Sequence, residues 1–300
     1  MIKRIIEISE SPCSLRIRNG QLIVGRNDLP EKQIPCEDVG VLLIDNQATT
    51  YTHSVLTRLL DFGAAVVLCN GEHHPAGMLL AIDSNSIQTE RHRHQIEASL
   101  PLKKRLWKQL VQAKISHQAA VVKTENPRAS KSIEQLAAKV RSGDKSNVEA
   151  RASKLYWKYF LGSRNFKRLR GGAPPNNLLN YGYMILRAAV ARAICSSGLL
   201  PSLGLHHCNR YNEYCLADDI MEPFRGFVEK EVRLMWRENP DEEYFAKLSQ
   251  LHKARLLETL HKSVTISQSS GPLMVGLHKT AASLYKCFAG EEDSLELPDF

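Results

Sequence analysis

The first 83 residues carry apolar positions in short runs with the two-residue period of strands rather than the longer period of helices. IKRIIEI (2–8), SLRIRN (14–19) and QLIVGR (21–26) are rich in β-branched residues and predict three strands. Asn19-Gly20, between the second and third, is a dipeptide that tolerates positive φ and predicts a tight hairpin. IPCEDVGVLLIDN (34–46) predicts two further strand segments, the second a buried apolar run. In THSVLTRLLDFGA (52–64) apolar residues at 55, 56, 59 and 60 follow a helical spacing that ends on Gly63. AVVLCN and GMLLAI then add strands.

Beyond about residue 84 the pattern turns helical. The segments are RHQIEASLPLKKRLWKQLVQAKISHQAAVVK, broken by Pro101, then IEQLAAKV, SNVEARASKLYWKYFLG and LLNYGYMILRAAVARAICSSG. ADDIMEPFRGFVEKEVRLMW and DEEYFAKLSQLHKARLLETL follow. SIQTERHRH (86–94) reads as a polar, basic connector, and RLRGGAPPNN (168–177) is the strongest turn cluster. The expected fold class is α+β: a small N-terminal β-rich domain over 1–83 and a larger all-α domain over 84–300. A chain of 300 residues is long enough for two domains.

Composition narrows the function classes. A hydrophobic fraction of 43% and a charged fraction of 24% are ordinary globular values and exclude global disorder. The net charge of +8 and pI near 9.1 point to a polyanionic partner, nucleic acid or an acidic membrane surface. Seven scattered cysteines without a CxxC pair argue against a disulfide framework and for a reducing compartment. The N-terminus has no long apolar secretory region, and AAVVLC (64–69) is far shorter than the roughly 20 residues of a membrane span. A cytoplasmic chain with no membrane association is expected. G-x-S-x-G, G-x-x-x-x-G-K-[ST] and G-x-G-x-x-G are all absent, which removes the usual signatures of hydrolase, ATPase and dehydrogenase sites.

Candidate chemistry concentrates in GLHHCNRYNEYCLADDIMEPFR (204–225). Asp218 and Asp219 precede a helix with the apolar stripe Ile220, Phe224, Val228, Val232 and Met235, so helix capping accounts for one aspartate. Glu222 lies one turn beyond Asp219 on the same face, and two carboxylates at that spacing make a platform for a hard cation with His207 nearby. A zinc site from His206, His207, Cys208 and Cys215 lacks the paired short spacing that lets ligands reach one tetrahedral ion. Upstream, RASKLYWKYFLGSRNFKRLR (151–170) holds Arg151, Lys154, Lys158, Arg164, Lys167, Arg168 and Arg170 and no acid. Its unbalanced charge suits phosphates, while Tyr156, Tyr159 and Phe160 fit a core face. Glu149 enters that basic helix alone, either as a favourable first-turn charge or as a third metal ligand.

Four motifs make the chain resemble the CRISPR-associated spacer-acquisition integrase, the universal "Cas one" subunit, in its type II form. They are PCEDVGVLLIDNQATTYTHSVLTRLLDFGAAVVLCN; QTERHRHQIEASLPLKKRLWKQLVQAKI; GDKSNVEARASKLYWKYFLG with NNLLNYGYMILRAAVARA; and LPSLGLHHCNRYNEYCLADDIMEPFR. The resemblance implies an N-terminal β domain, a helical catalytic domain and one divalent-metal site. It places the metal ligands on Glu149, His207 and Glu222, with Asp219 as a supporting acid. His207 is preferred to His206 because the family's ligand falls three residues after the glycine matching Gly204. Ala150 stands where the family often has glycine, and Gly226 where it often has proline.

What the resemblance implies chemically is a direct transesterification in which the 3′-hydroxyl of a short DNA fragment attacks a phosphodiester at the edge of a repeat. Mg²⁺ or Mn²⁺ suits one imidazole with carboxylates. Lys154, Lys158, Arg164, Lys167, Arg168 and Arg170 would hold the DNA backbone. Arg210 and Arg225 are further phosphate contacts, with pairing of Arg225 to Glu229 as the alternative. The implied assembly is a homodimer, its surface taken to be the β-rich domain, with a small ferredoxin-like subunit bridging two dimers into a heterohexamer on double-stranded DNA. The rivals are a stand-alone metal-dependent nuclease on branched DNA and a non-catalytic basic DNA-binding scaffold.

Overall fold

A computed structural model of the protein describes residues 3–27, 29–71, 73, 75–83, 85–162 and 166–300. The N-terminal part is built on two sheets. β1 (Arg4–Ile8), β5 (Val39–Ile44), β7 (Ala65–Cys69) and β8 (Pro75–Leu79) form one, in that order, with β1, β5 and β7 parallel and β8 antiparallel. β4 (Leu29–Pro35), β3 (Gln21–Arg26), β2 (Ser14–Arg18) and the short β6 (Thr50–Tyr51) form the other. The β2–β3 turn is made by Asn19 and Gly20 at φ of 50° and 73°, as their sequence predicts. Helix α1 (His53–Asp61) follows β6 and is closed by Gly63 at φ 66°.

β5 explains how this part joins the rest. All six of its residues are buried, and alternation sends them to opposite faces. Leu42 and Ile44 join Ile8, Leu15, Leu22, Val55 and Leu59 in one core. Val41 and Leu43, with Ala65 and Val67 of β7, join a second core made mostly by helices. An apolar run without polar alternation is the signature of a strand covered on both sides.

The helical part contains α2 (Gln88–Glu97), α3 (Leu100–Val122), α4 (Pro127–Ala137), α5 (Val148–Tyr159) and α6 (Asn176–Ser196). It continues with α7 (Cys215–Met221), α8 (Arg225–Glu238), α9 (Glu242–Ala246), α10 (Gln250–Glu258) and α11 (Leu273–Ala289). Together with the sheets this is the expected α+β class. α3 packs against α4, α5 and α8, and α6 against α7, α8, α10 and α11. Gly182 permits the α6–α8 crossing, since a Cβ there would lie 2.3 Å from Val228 Cγ1.

Several elements differ from the sequence reading. The expected connector 86–94 is mostly helix α2, because its polar side chains serve the C-terminal end of α6. Gln95 donates to the carbonyls of Leu200 and Leu203, and Arg91 to that of Ser197. The hairpin of β9 (Ser263–Ile266) and β10 (Ser269–Pro272) interrupts the region read as all-α. The stretch DEEYFAKLSQLHKARLLETL divides at Ser249, which caps α10 in a reciprocal capping box with His252. Asp218 and Asp219 lie inside α7, not before it. Pro223 sits in a 3-10 turn, Glu222–Phe224, that separates α7 from α8.

One charged tie crosses between sheet and helices. Lys253 of α10 places Nζ 2.9 Å from Asp45 Oδ2 and 3.2 Å from Glu7 Oε1, with all three side chains largely buried. Removing the ammonium would leave two carboxylates without their cation. Lys253→Met is therefore expected to lower stability to urea by about 3–5 kcal/mol, and adding Glu7→Gln to restore part of it. Wild-type midpoints for the single variant would dismiss this tie.

Candidate functional site

Each carboxylate of the candidate site is placed by a separate local device. Glu149 occupies the second position of α5, a helix whose first free N–H groups are met by Asp144: Oδ1 accepts from Val148 N and Oδ2 from Glu149 N, both at 2.9 Å. Glu222 opens the 3-10 turn after α7 and is 4% exposed. His117 of α3 fixes that turn, with Nδ1 2.6 Å from the carbonyl oxygen of Pro223. The proline cannot donate a backbone hydrogen bond, which accounts for the break between α7 and α8.

Asp219 is wholly buried and does not cap its own helix. Its oxygens accept the backbone N–H groups of Leu205, His206 and His207 at 2.6, 3.0 and 3.2 Å, so it organises the loop before α7. Its Oδ1 also lies 2.6 Å from His207 Nδ1. A carboxylate against Nδ1 keeps the proton on that nitrogen and leaves Nε2 with its lone pair outward. Gly204 is required here, because a Cβ would stand 2.3 Å from the His207 carbonyl oxygen and 2.8 Å from Asp219 Oδ2. His206 instead stacks on Trp107, with ring centroids 4.3 Å apart and ring planes nearly parallel. Cys208 is exposed and buried Cys215 turns its thiol to the Asn212 carbonyl at 3.3 Å, so the zinc grouping does not assemble.

Between the two glutamates lies a residue that the sequence reading did not single out. Lys114 of α3 places Nζ 2.5 Å from Glu149 Oε1 and 2.7 Å from Glu222 Oε2. Glu222 Oε2 is buried against the Lys114 ammonium. Arg225 lies 3.1 Å from the other oxygen, Oε1. Burial pushes the Glu222 carboxyl up, but Arg225, Lys114 and His207 outweigh it and hold it below the ordinary carboxylate value. The His207 imidazole is raised, first by its hydrogen bond to Asp219, against the opposing effect of burial. Burial lowers the Lys114 ammonium, and Glu222 and Glu149 more than reverse this.

Among the described residues no three His, Cys, Asp or Glu side chains form a ready metal cage, and Lys114 stands between the two carboxylates. The donor set nonetheless fits a divalent cation. It has two carboxylates from different segments that already share one positive charge, and an imidazole whose other nitrogen is buttressed by aspartate.

The basic residues divide by environment. Lys154 and Lys158 are exposed on α5, and Lys167 and Arg170 are exposed beyond it. The helix ends at Tyr159, so Lys167, Arg168 and Arg170 belong to the loop before α6 and not to the basic helix expected; Arg164 lies outside the described residues. Arg168 donates to Asn176 and Asn180 at 3.0 and 2.6 Å. It and Arg225 flank the Tyr183 ring at 5.3 and 4.8 Å from its centroid. Arg225 pairs with Glu222 rather than with Glu229, whose carboxylate accepts the Tyr183 hydroxyl at 2.6 Å. Arg210 is exposed and lies over Tyr211. A cleft of about 920 Å³ opens elsewhere, between sheet and helices, lined by Asp45, Arg170, Tyr181 and Lys253 and by none of the candidate ligands.

Comparison with known proteins places the fold and the sequence in a family. Among solved structures the fold is similar to a casposase bound to its integration product, at a TM-score of 0.80 and 17% identity over 98% of this chain and 92% of that one. It is also similar to a Cas1 protein from Thermotoga maritima, at a TM-score of 0.74 and 18% identity over 96% and 98%. In sequence it is 35% identical to the CRISPR-associated endonuclease Cas1 of Neisseria meningitidis serogroup C (strain 8013), over 95% of each chain. A Pyrobaculum aerophilum relative of the same description is 26% identical over 94% and 98%. With the model of the CRISPR associated protein Cas1 family also matching residues 6–266, the chain belongs to the Cas1 family.

Proposed function

We propose that the protein is a divalent-metal-dependent DNA integrase of CRISPR adaptation, which joins the 3′-hydroxyl ends of short DNA fragments to the edge of a repeat by transesterification. One observation carries this reading: in a chain of this family Glu149 and Glu222, distant in sequence, meet at the Lys114 ammonium, and His207, held on Asp219, is close enough for its charge to act on Glu222. The fold likeness to a casposase bound to integration product supports joining, and the name of the Neisseria relative supports cleavage of DNA.

Glu149, His207 and Glu222 would hold Mg²⁺ or Mn²⁺, His207 through Nε2. A divalent ion held by these residues would supply Lewis-acid chemistry for the scissile phosphate and the attacking hydroxyl. Asp219 fixes the imidazole's tautomer and direction, and the loop hydrogen bonds to Asp219 keep Nε2 aimed. Arg225, paired with Glu222, and Arg168, which shares the Tyr183 ring with it, supply guanidinium groups for phosphate oxygens. Lys154, Lys158, Lys167, Arg170 and Arg210 supply exposed charge for the backbone of double-stranded DNA, without reading sequence. The proposed assembly is a homodimer through the β-rich part, two dimers being bridged by a small ferredoxin-like subunit into a heterohexamer. Solved complexes of other Cas1-containing chains with Cas2 support that partnership. A cytoplasmic location accords with the lack, among the described residues, of a helix long and apolar enough to cross a membrane.

The test is an integration assay with a supercoiled repeat-bearing plasmid, a labelled 3′-hydroxyl duplex and the partner subunit. Label is expected on the plasmid with Mg²⁺ or Mn²⁺ and not with EDTA. Glu149→Gln, His207→Ala and Glu222→Gln should bind DNA and lose joining. Plasmid fragments without joined label would make the protein a nuclease only. Unimpaired variants would leave a scaffold.

Two substitutions probe the support of the imidazole. Asp219→Asn is expected to lower joining by about 10–100-fold, as loss of a carboxylate behind a ligand imidazole does elsewhere. Gly204→Ala forces its Cβ into the loop and should cost about 1–3 kcal/mol on thermal unfolding, with joining reduced further than stability alone accounts for. Wild-type joining by both variants would show that the loop geometry is not needed.

A further inference from the structure

Lys114 is only 11% exposed in its side chain, and the two partners it is given are Glu149 and Glu222. Lysine is seldom buried, because removing an ammonium from water is costly unless anions replace the hydration. Here two anions do so, brought from α5 and from the turn after α7 to one point on α3. Without the ammonium, the buried Glu222 carboxylate would face a half-buried Glu149 with no charge between them.

The oxygens it occupies are the ones a cation needs. Glu222 has both oxygens engaged by positive side chains, Oε1 by Arg225 at 3.1 Å and Oε2 by Lys114 at 2.7 Å. Hard divalent cations of the Mg²⁺ type sit about 2.0–2.1 Å from carboxylate oxygens. An ammonium already 2.5 and 2.7 Å from Glu149 Oε1 and Glu222 Oε2 therefore claims the same space. Two cations that close together repel strongly in a low-dielectric setting. The ammonium and the metal are alternatives.

We infer that Lys114 is a positioning residue that acts as an electrostatic placeholder, holding Glu149 and Glu222 together in the metal-free protein and yielding its place to the divalent ion. The inference rests on the proposed metal site. It assigns Lys114 two opposing effects: it stabilises the metal-free fold and weakens metal binding, because each binding event includes the displacement of an ion pair. A residue that only packs the helices, or one that stays beside the metal as a ligand's partner, would not produce that opposition.

The experiment compares full-length wild type with Lys114→Met, stripped with EDTA and then titrated with Mn²⁺ by calorimetry, with thermal unfolding recorded before and after. Expected for Lys114→Met are a lower metal-free unfolding temperature, Mn²⁺ binding tighter by about tenfold or more, and a wider gap between the loaded and stripped proteins. Lys114→Arg, which keeps the charge, should retain the metal-free stability and not tighten Mn²⁺ binding. Lys114→Gln, whose amide still donates to a carboxylate, serves where the methionine variant does not fold, and the same rise in affinity is expected of it. Unchanged or weaker Mn²⁺ binding by both neutral variants overturns the placeholder role while leaving the metal site intact. A lack of Mn²⁺ binding by wild type and variants alike overturns the site itself.

Discussion

Two ionised carboxylates repel each other where little water screens them unless a positive group stands between them, and three elements of the helical half meet that constraint here. α3 brings the ammonium of Lys114, α5 brings Glu149 on a helix start organised by Asp144, and the break after α7 brings Glu222. Replacing all three charges together by well-packed apolar residues would cost little stability, whereas removing one alone strands the others, since buried ion pairs rarely outperform hydrophobic packing. Their retention is intelligible as the cost of keeping anionic oxygens aimed at one position.

Around this centre the protein uses backbone groups where side chains alone would be loose. The loop from Gly204 to His207 has no regular secondary structure to hold it, and Asp219 supplies three acceptors' worth of hydrogen bonding from a rigid helix instead. The same carboxylate then orients the imidazole, so loop position and ring tautomer are set together. Arg187 holds the neighbouring Asp218 through two hydrogen bonds of 2.7 and 2.9 Å, which assigns adjacent aspartates to separate tasks.

Much of this was legible in the residues themselves. The N-terminal strands followed from their period, the β2–β3 turn from Asn19-Gly20, and the double-faced burial of β5 from its uninterrupted apolar run. The β9–β10 hairpin escaped because Ser267 and Gln268 take φ of 49° and 64° without an asparagine or glycine to announce the turn. Helix α2 escaped because its polar residues bond to carbonyls of a segment about a hundred residues away, which no local pattern records. In the site, the Asp219–Glu222 spacing was visible, as was the isolation of Glu149 in basic surroundings. Lys114 was not, since a lysine on a long helix rich in lysine looks like surface. Only the arrival of two carboxylates from elsewhere gives it meaning. The capping role expected of the aspartates does not hold: both lie inside α7, and Asp219 serves loop N–H groups rather than a helix start.

The sheet of β1, β5, β7 and β8 belongs to two cores at once, since Leu42 and Ile44 face one and Val41 and Leu43 the other. Orientation between the strand-rich part and the helices is thus set by shared packing and by the Lys253 tie, not by the chain segment that links them. The β-rich part is, in mechanical terms, a handle. A partner that gripped it from the β2–β3 side would aim the distant glutamates without touching them.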